Sequence, residues 1–174
     1  MTTIVRVLAL GAALVFVALP AVAQQVNDAQ IAAIAVAANQ VDVDAGKLAL
    51  NKAKNGEVKK FAQTMVTDHS GAIKAASDLV TKLKVTPQEN DTSKALTKGG
   101  QDARAKLSAL SGDAFDKAYI DNEVSYHDTV VKALDGTLIP NAQNPELKGL
   151  LMKVRDVAVA HLEHAKQLQK TAMK

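Results

Sequence analysis

The sequence contains no cysteine and no tryptophan, and aromatic residues make up only 3% of it. Without cysteine there is no disulfide staple, no thiol nucleophile, no thiolate-held zinc and no lipid-bearing N-terminal cysteine. The shortage of aromatics leaves little surface for stacking nucleic-acid bases. Charge of a single sign is also lacking, because 21 Lys and Arg stand against 18 Asp and Glu and the two signs are interspersed along the chain. A nucleic-acid surface needs a concentrated basic face, so nucleic acid is excluded as a partner. Alternating β-branched runs bounded by turns are missing as well, which excludes a strand-built fold. There is no G-x-S-x-G elbow, no phosphate-binding glycine loop and no cofactor fingerprint. No catalytic residue and no organic-cofactor residue is therefore assigned.

The one long hydrophobic run is N-terminal. Arg6 supplies a positive n-region, Val7 to Leu19 an apolar core, and Ala21-Val22-Ala23 a small-x-small cleavage pattern. The core is shorter than the roughly 20 residues of a spanning helix. Residues 1–23 are read as a signal peptide cleaved near Ala23/Gln24. Residues 24–174 are read as a single periplasmic or secreted domain with no transmembrane segment. With no disulfide available, that domain has to be held by its core.

What remains is helical periodicity throughout. A first helix is expected over about 28–53, with Asn27 as N-cap and Gln30 completing a capping box. Its apolar stripe is Ile31, Ile34, Ala38, Val41, Ala45 and Leu48. Asn55-Gly56 ends it, and a second helix over about 57–83 follows so closely that the two must form an antiparallel hairpin. Residues 86–112 read as a polar connection carrying a weak helix, about 93–110, interrupted by Gly99-Gly100 and lying outside the core. A third helix is expected over about 113–136, leaving at Asp135-Gly136. A fourth, about 145–172, opens on Asn144-Pro145-Glu146 with Asn as N-cap and Pro at the first helical position. The fold expected is all-α: a ferritin-like four-helix bundle with a long, helix-containing crossover between helices two and three.

The four histidines are His69, His127, His161 and His164. The first three fall on the core stripes of helices two, three and four. Asp42 and Asp44 intrude on helix one, Asp68 adjoins His69, and Glu123 precedes His127 by one turn. Counted from the turns, Asp42 and His69 lie level, as do Glu123 and His161, whereas His127 is offset by about a turn and a half. Imidazole and carboxylate together suit zinc, copper, iron or manganese, and facing bundle helices are a usual place to hold them. The candidate metal residues are therefore His69, His127, His161, Asp42, Asp44, Asp68, Glu123 and His164. Three functions fit: a metal-binding module, a structural or partner-binding envelope protein with buried His–Asp hydrogen bonds, and a metal-dependent oxidoreductase. Binding is favoured over catalysis. Tyr119 and Tyr126 read as core-edge aromatics.

The combination G-K-L-A on helix one, F-A-x-x-M-V-x-D-H on helix two, F-D-x-x-Y with a later histidine on helix three, and H-L-x-x-A on helix four resembles bacterial domain-of-unknown-function family 4142. Members are exported proteins, often labelled putative outer membrane proteins. The resemblance spans about Asp28 to Leu168 and implies a ferritin-like fold, but no activity. Carried over residue by residue, it matches Asp42, Asp44, Asp68, His69, His127 and His161. The di-iron pattern of Glu-x-x-His pairs is absent: helix three offers Glu123-x-x-x-His127 and helix four His161-x-x-His164. A histidine-rich mononuclear site is expected instead.

Overall fold

The computed structural model describes residues 26–171. The signal-peptide reading and its cleavage position lie outside these residues. Among the described residues six α-helices run in the order α1 (Asp28–Lys52), α2 (Gly56–Lys82), α3 (Asp91–Ser108), α4 (Gly112–Ala133), α5 (Ile139–Asn141) and α6 (Pro145–Thr171). A π-helical stretch, Leu134–Leu138, joins α4 to α5. There is no strand among the described residues, and none of their helices is long and apolar enough to cross a membrane.

The helix starts follow local chemistry. The Asn27 side chain accepts from Gln30 N, and the Gln30 side chain accepts from Asn27 N, which closes the expected capping box. At α6 the Asn144 side-chain Oδ1 accepts from the amides of Glu146 and Leu147, satisfying donors a helix start leaves free.

Two aspartates pin the bundle ends. Asp116, buried on α4, accepts from the backbone N–H of Lys54 at 3.0 Å and of Asn55 at 2.7 Å, which ties α4 to the α1–α2 turn. At the opposite end Asp28 accepts from Gln143 N and Asn144 N, tying the start of α6 to the start of α1. α2 and α4 therefore descend together while α1 and α6 ascend, the arrangement a long crossover requires.

The crossover is more than a surface connection. α3 is continuous through Gly99-Gly100 and lies along α1, with Asn90 bonded to Gln30 O at one end and Lys52 reaching Ser108 O at the other. Leu107 belongs to the core. Gly100 permits this approach, since a Cβ there would sit 2.6 Å from Val41 Cγ2. The expectation that α3 stands outside the core is corrected accordingly. With α2, α3 and α4 around it, α1 is buried on more sides than a single stripe allows, and Ala32, Ala33, Val43 and Ala49 are all covered.

The core has two apolar halves. Phe61, Met65, Phe115, Tyr119 and Ile120 fill the end near the α1–α2 turn. Ile31, Ile34, Leu134, Leu138, Leu147 and Leu151 fill the other. The buried polar residues Asn39, Asp42, His69, Glu123, His127 and His161 lie on the bundle helices between these halves.

Candidate metal centre

Three of the six bring imidazoles together. The rings of His69, His127 and His161 stand at centroid distances of 5.1 Å (His69–His161), 5.4 Å (His127–His161) and 5.6 Å (His69–His127). One nitrogen from each lies within 4.8 Å of the other two. The expected offset of His127 does not occur. The chain stays helical through Leu134–Leu138 and α5 instead of leaving at Asp135-Gly136. The turn therefore falls at Asn144, which stands midway between His127 and His161 in sequence and brings them level.

The outer nitrogen of each ring is already engaged. Asn39 Nδ2 donates to Ala35 O at 2.7 Å, which fixes its Oδ1 as the acceptor for His69 Nδ1–H at 2.8 Å. His127 Nδ1–H donates to the carbonyl of Glu123 at 3.0 Å. His161 Nε2–H donates to Asp68 Oδ2 at 3.0 Å. In a neutral imidazole one nitrogen donates and the other carries a lone pair. His69 Nε2, His127 Nε2 and His161 Nδ1 are thus lone-pair nitrogens, and all three are buried without a hydrogen-bond partner.

Burial keeps them neutral. It pushes the His69 pKa down to about 3, helped by the neighbouring histidines, and that of His127 down to about 4. His161 is lowered too, chiefly by burial, with Asp68 opposing. Protonation at neutral pH is therefore no remedy for the orphaned nitrogens.

A second group overlaps the first: Asp42, Glu123 and His127 each offer an atom within 4.8 Å of the others. Asp42 Oδ2 lies 3.5 Å from His69 Nε2. Burial, and then the proximity of Glu123, raises the Asp42 pKa well above the carboxylate range, and burial raises that of Glu123 to about 8. Asp42 and Glu123 lie close enough to share a proton, and Asp42 Oδ1 and both Glu123 oxygens are otherwise without a hydrogen-bond partner. Tyr119 O–H is likewise buried and unpaired, and Tyr126 O–H donates to Ala38 O. Both phenols are held above their usual pKa by burial first and by the two carboxylates second.

The remaining candidates stand apart from the converging nitrogens and carboxylates. Asp44 faces outward, paired with Arg104 of α3 and bonded by Gln40. His164 is exposed and packs edge-on against Phe61 at 5.2 Å. Asp68 orients His161 from outside. Sequence reasoning missed Asn39, which lies three residues before Asp42 and so on the same helical face. It also missed the pinning role of Asp116, whose signal was the aspartate of F-D-x-x-Y.

The donor set fits a cation. Metal-bound histidines ordinarily give their other N–H to a carbonyl or carboxylate, as all three do here. Once a cation displaces their protons, the two carboxylates beside three neutral imidazoles balance a charge of +2.

This chain belongs to the family described as Domain of unknown function (DUF4142), whose profile matches residues 17–168. No curated protein matches it. Among solved structures it is similar in fold to CopM in the Cu(II)-bound form, with a TM-score of 0.66 and 20% sequence identity over 84% of this chain and 97% of that one.

Proposed function

We propose that this DUF4142 protein is a metal-binding module that takes one divalent transition metal ion between His69, His127 and His161, flanked by Asp42 and Glu123. One observation carries the reading: three buried lone-pair nitrogens converge with no hydrogen-bond partner. An unpartnered buried acceptor costs about 1–3 kcal/mol, and three together have a common remedy in a cation. Nitrogen and oxygen donors without thiolate suit copper(II) and zinc, and among divalent first-row ions copper(II) binds such sites most tightly. The copper-bound state of a protein with the same fold supports putting copper(II) first. The signal-like pattern ending at Ala23 supports a periplasmic or secreted place of action. Binding alone is proposed, and no reaction is assigned.

Elemental mass spectrometry on the untagged protein, exported by its own signal, tests this. A near-stoichiometric transition metal that disappears in His69→Ala is expected. A protein that emerges metal-free and takes up no copper, zinc, iron or manganese overturns it.

A structural role has its own support, because His69–Asn39 ties α2 to α1 and His161–Asp68 ties α6 to α2. On that reading His69→Ala lowers stability by about 1–3 kcal/mol in a protein that never carries metal.

A further inference from the structure

Opening onto the cluster, and sharing Asp42 and His69 with it, lies a second feature whose apolar part metal binding does not use. A cavity of about 270 Å3 occupies the half of the bundle away from the α1–α2 turn. Its walls are apolar, with Ile34, Leu134, Leu138 and Leu151 among them. Native interiors are packed with few voids larger than a water molecule, and this opening runs from the surface into such an interior.

Two backbone features border it. α3 lies on α1, and its Thr92 and Leu96 line the cavity opposite Thr129, Ala133 and Thr137, on α4 and the π-helical stretch. Those positions, apart from half-buried Leu96, are exposed and form a mouth. The π-helical stretch itself supplies Leu134, Thr137 and Leu138 to the lining, and π-bulges often mark functional sites. At the inner end the lining turns polar, with Asn39, Asp42 and His69. Asp42 Oδ1 and His69 Nε2 are unpaired there.

We infer that this cavity binds a small amphipathic molecule, an aliphatic chain of roughly eight to ten carbons with one oxygen head group, since about 150 Å3 already holds benzene. The chain lies between Ile34, Leu134, Leu138 and Leu151. The head group meets the Asp42–His69 end, on the bound ion when one is present. The medium-chain carboxylic acids are the class that fits: with no ion bound the O–H of the neutral acid donates to the lone pair of His69 Nε2, and with an ion bound the carboxylate would face the cation. The inference rests on the metal reading only for what its head group meets.

Octanoic acid is the probe, titrated calorimetrically into the full chain, with metal content measured on the same samples. Saturable one-site binding is expected. It weakens tenfold or more in Ala133→Leu and in Thr137→Leu, two mouth substitutions on exposed positions, while metal content stays unchanged. Octane, the same chain without the head, binds at least tenfold more weakly. Absence of octanoic acid binding, or binding that neither substitution weakens, overturns the inference. Equal affinity for octane overturns the head-group assignment. A chain that binds octanoic acid but never carries metal sinks the metal reading and leaves the cavity standing. A metal-loaded chain that binds none sinks the cavity alone.

Discussion

At the scale of single residues, the cluster combines two kinds of titrating group shifted in opposite directions, and this gives the metal-free protein an unusual pH dependence. His69 and His127 have folded pKa values of about 3 and about 4, below the 6.5 of a free imidazole. The unfolded chain binds more protons between those values, so stability falls as pH drops below about 6.5. Glu123 has a folded pKa of about 8 against an ordinary 4.5. Here the folded state binds more protons, so stability falls as pH rises from about 4.5 to 8. Metal-free protein should therefore be most stable in mildly acidic buffer, and Glu123→Gln should flatten the alkaline decline in thermal unfolding across that range. An unchanged decline in the variant refutes the assignment. A cation reverses the balance, since ligands must be deprotonated to bind it. Near pH 7 Glu123 is largely protonated, and metal uptake should release about one proton or more per ion. Calorimetry in buffers of differing ionisation enthalpy reads this directly. The choice of Asp42 over Asp44 was not legible in the sequence, because both flank the α1 stripe. It was decided by α3, whose Arg104 draws Asp44 outward.

At the scale of elements, helix type and starts were legible wherever a cap and a period agreed, as at Asn27 and Asn144. The two departures share one cause, namely contacts that local sequence does not announce. Asp135-Gly136 reads as an exit, yet the chain stays helical there because Leu134 and Leu138 are buried in the core half away from the α1–α2 turn, and the extra length brings His127 level with His161. Gly99-Gly100 reads as a break, yet the two glycines have different roles. A Cβ on Gly99 meets nothing within 4 Å, whereas one on Gly100 meets Val41 at three atoms, including its Cβ at 3.2 Å. Gly99→Ala should stabilise the protein by about 0.5–1 kcal/mol through helix propensity. Gly100→Ala gains the same propensity but overpacks the α1–α3 contact at about 1–3 kcal/mol, so its net effect should be destabilising by up to about 2 kcal/mol. Urea unfolding of the pair decides it, and equal effects at the two positions would show that α3 does not pack this closely.

At the scale of the whole molecule, the site depends on four helices keeping register over a long span. His69, His127 and His161 come from α2, α4 and α6, and Asp42 from α1, so an axial slip of one helix by a single residue, about 1.5 Å, is enough to spoil the convergence. The chain has no covalent link to prevent such a slip. Register is held instead at the two ends, by Asp28 at one and Asp116 at the other. Removing the Asp116 carboxylate leaves the amides of Lys54 and Asn55 without their partner, and hydrogen bonds to a charged group contribute about 1.5–3 kcal/mol. Asp116→Ala should therefore lower stability by about 2–4 kcal/mol although it touches no ligand. It should also weaken metal affinity, because part of the binding free energy must then restore alignment. Saturating metal should recover much of the lost melting temperature, since a ligand at a hundredfold its dissociation constant adds about 2.7 kcal/mol to the folded state. Lys54→Ala, which removes only the exposed pair with Asp113 and keeps the backbone N–H, should alter neither property by more than about 0.5 kcal/mol. Metal titrations followed by thermal unfolding of both variants test the coupling. If Asp116→Ala binds metal with wild-type affinity, the end pins stabilise the fold without setting the geometry of the centre.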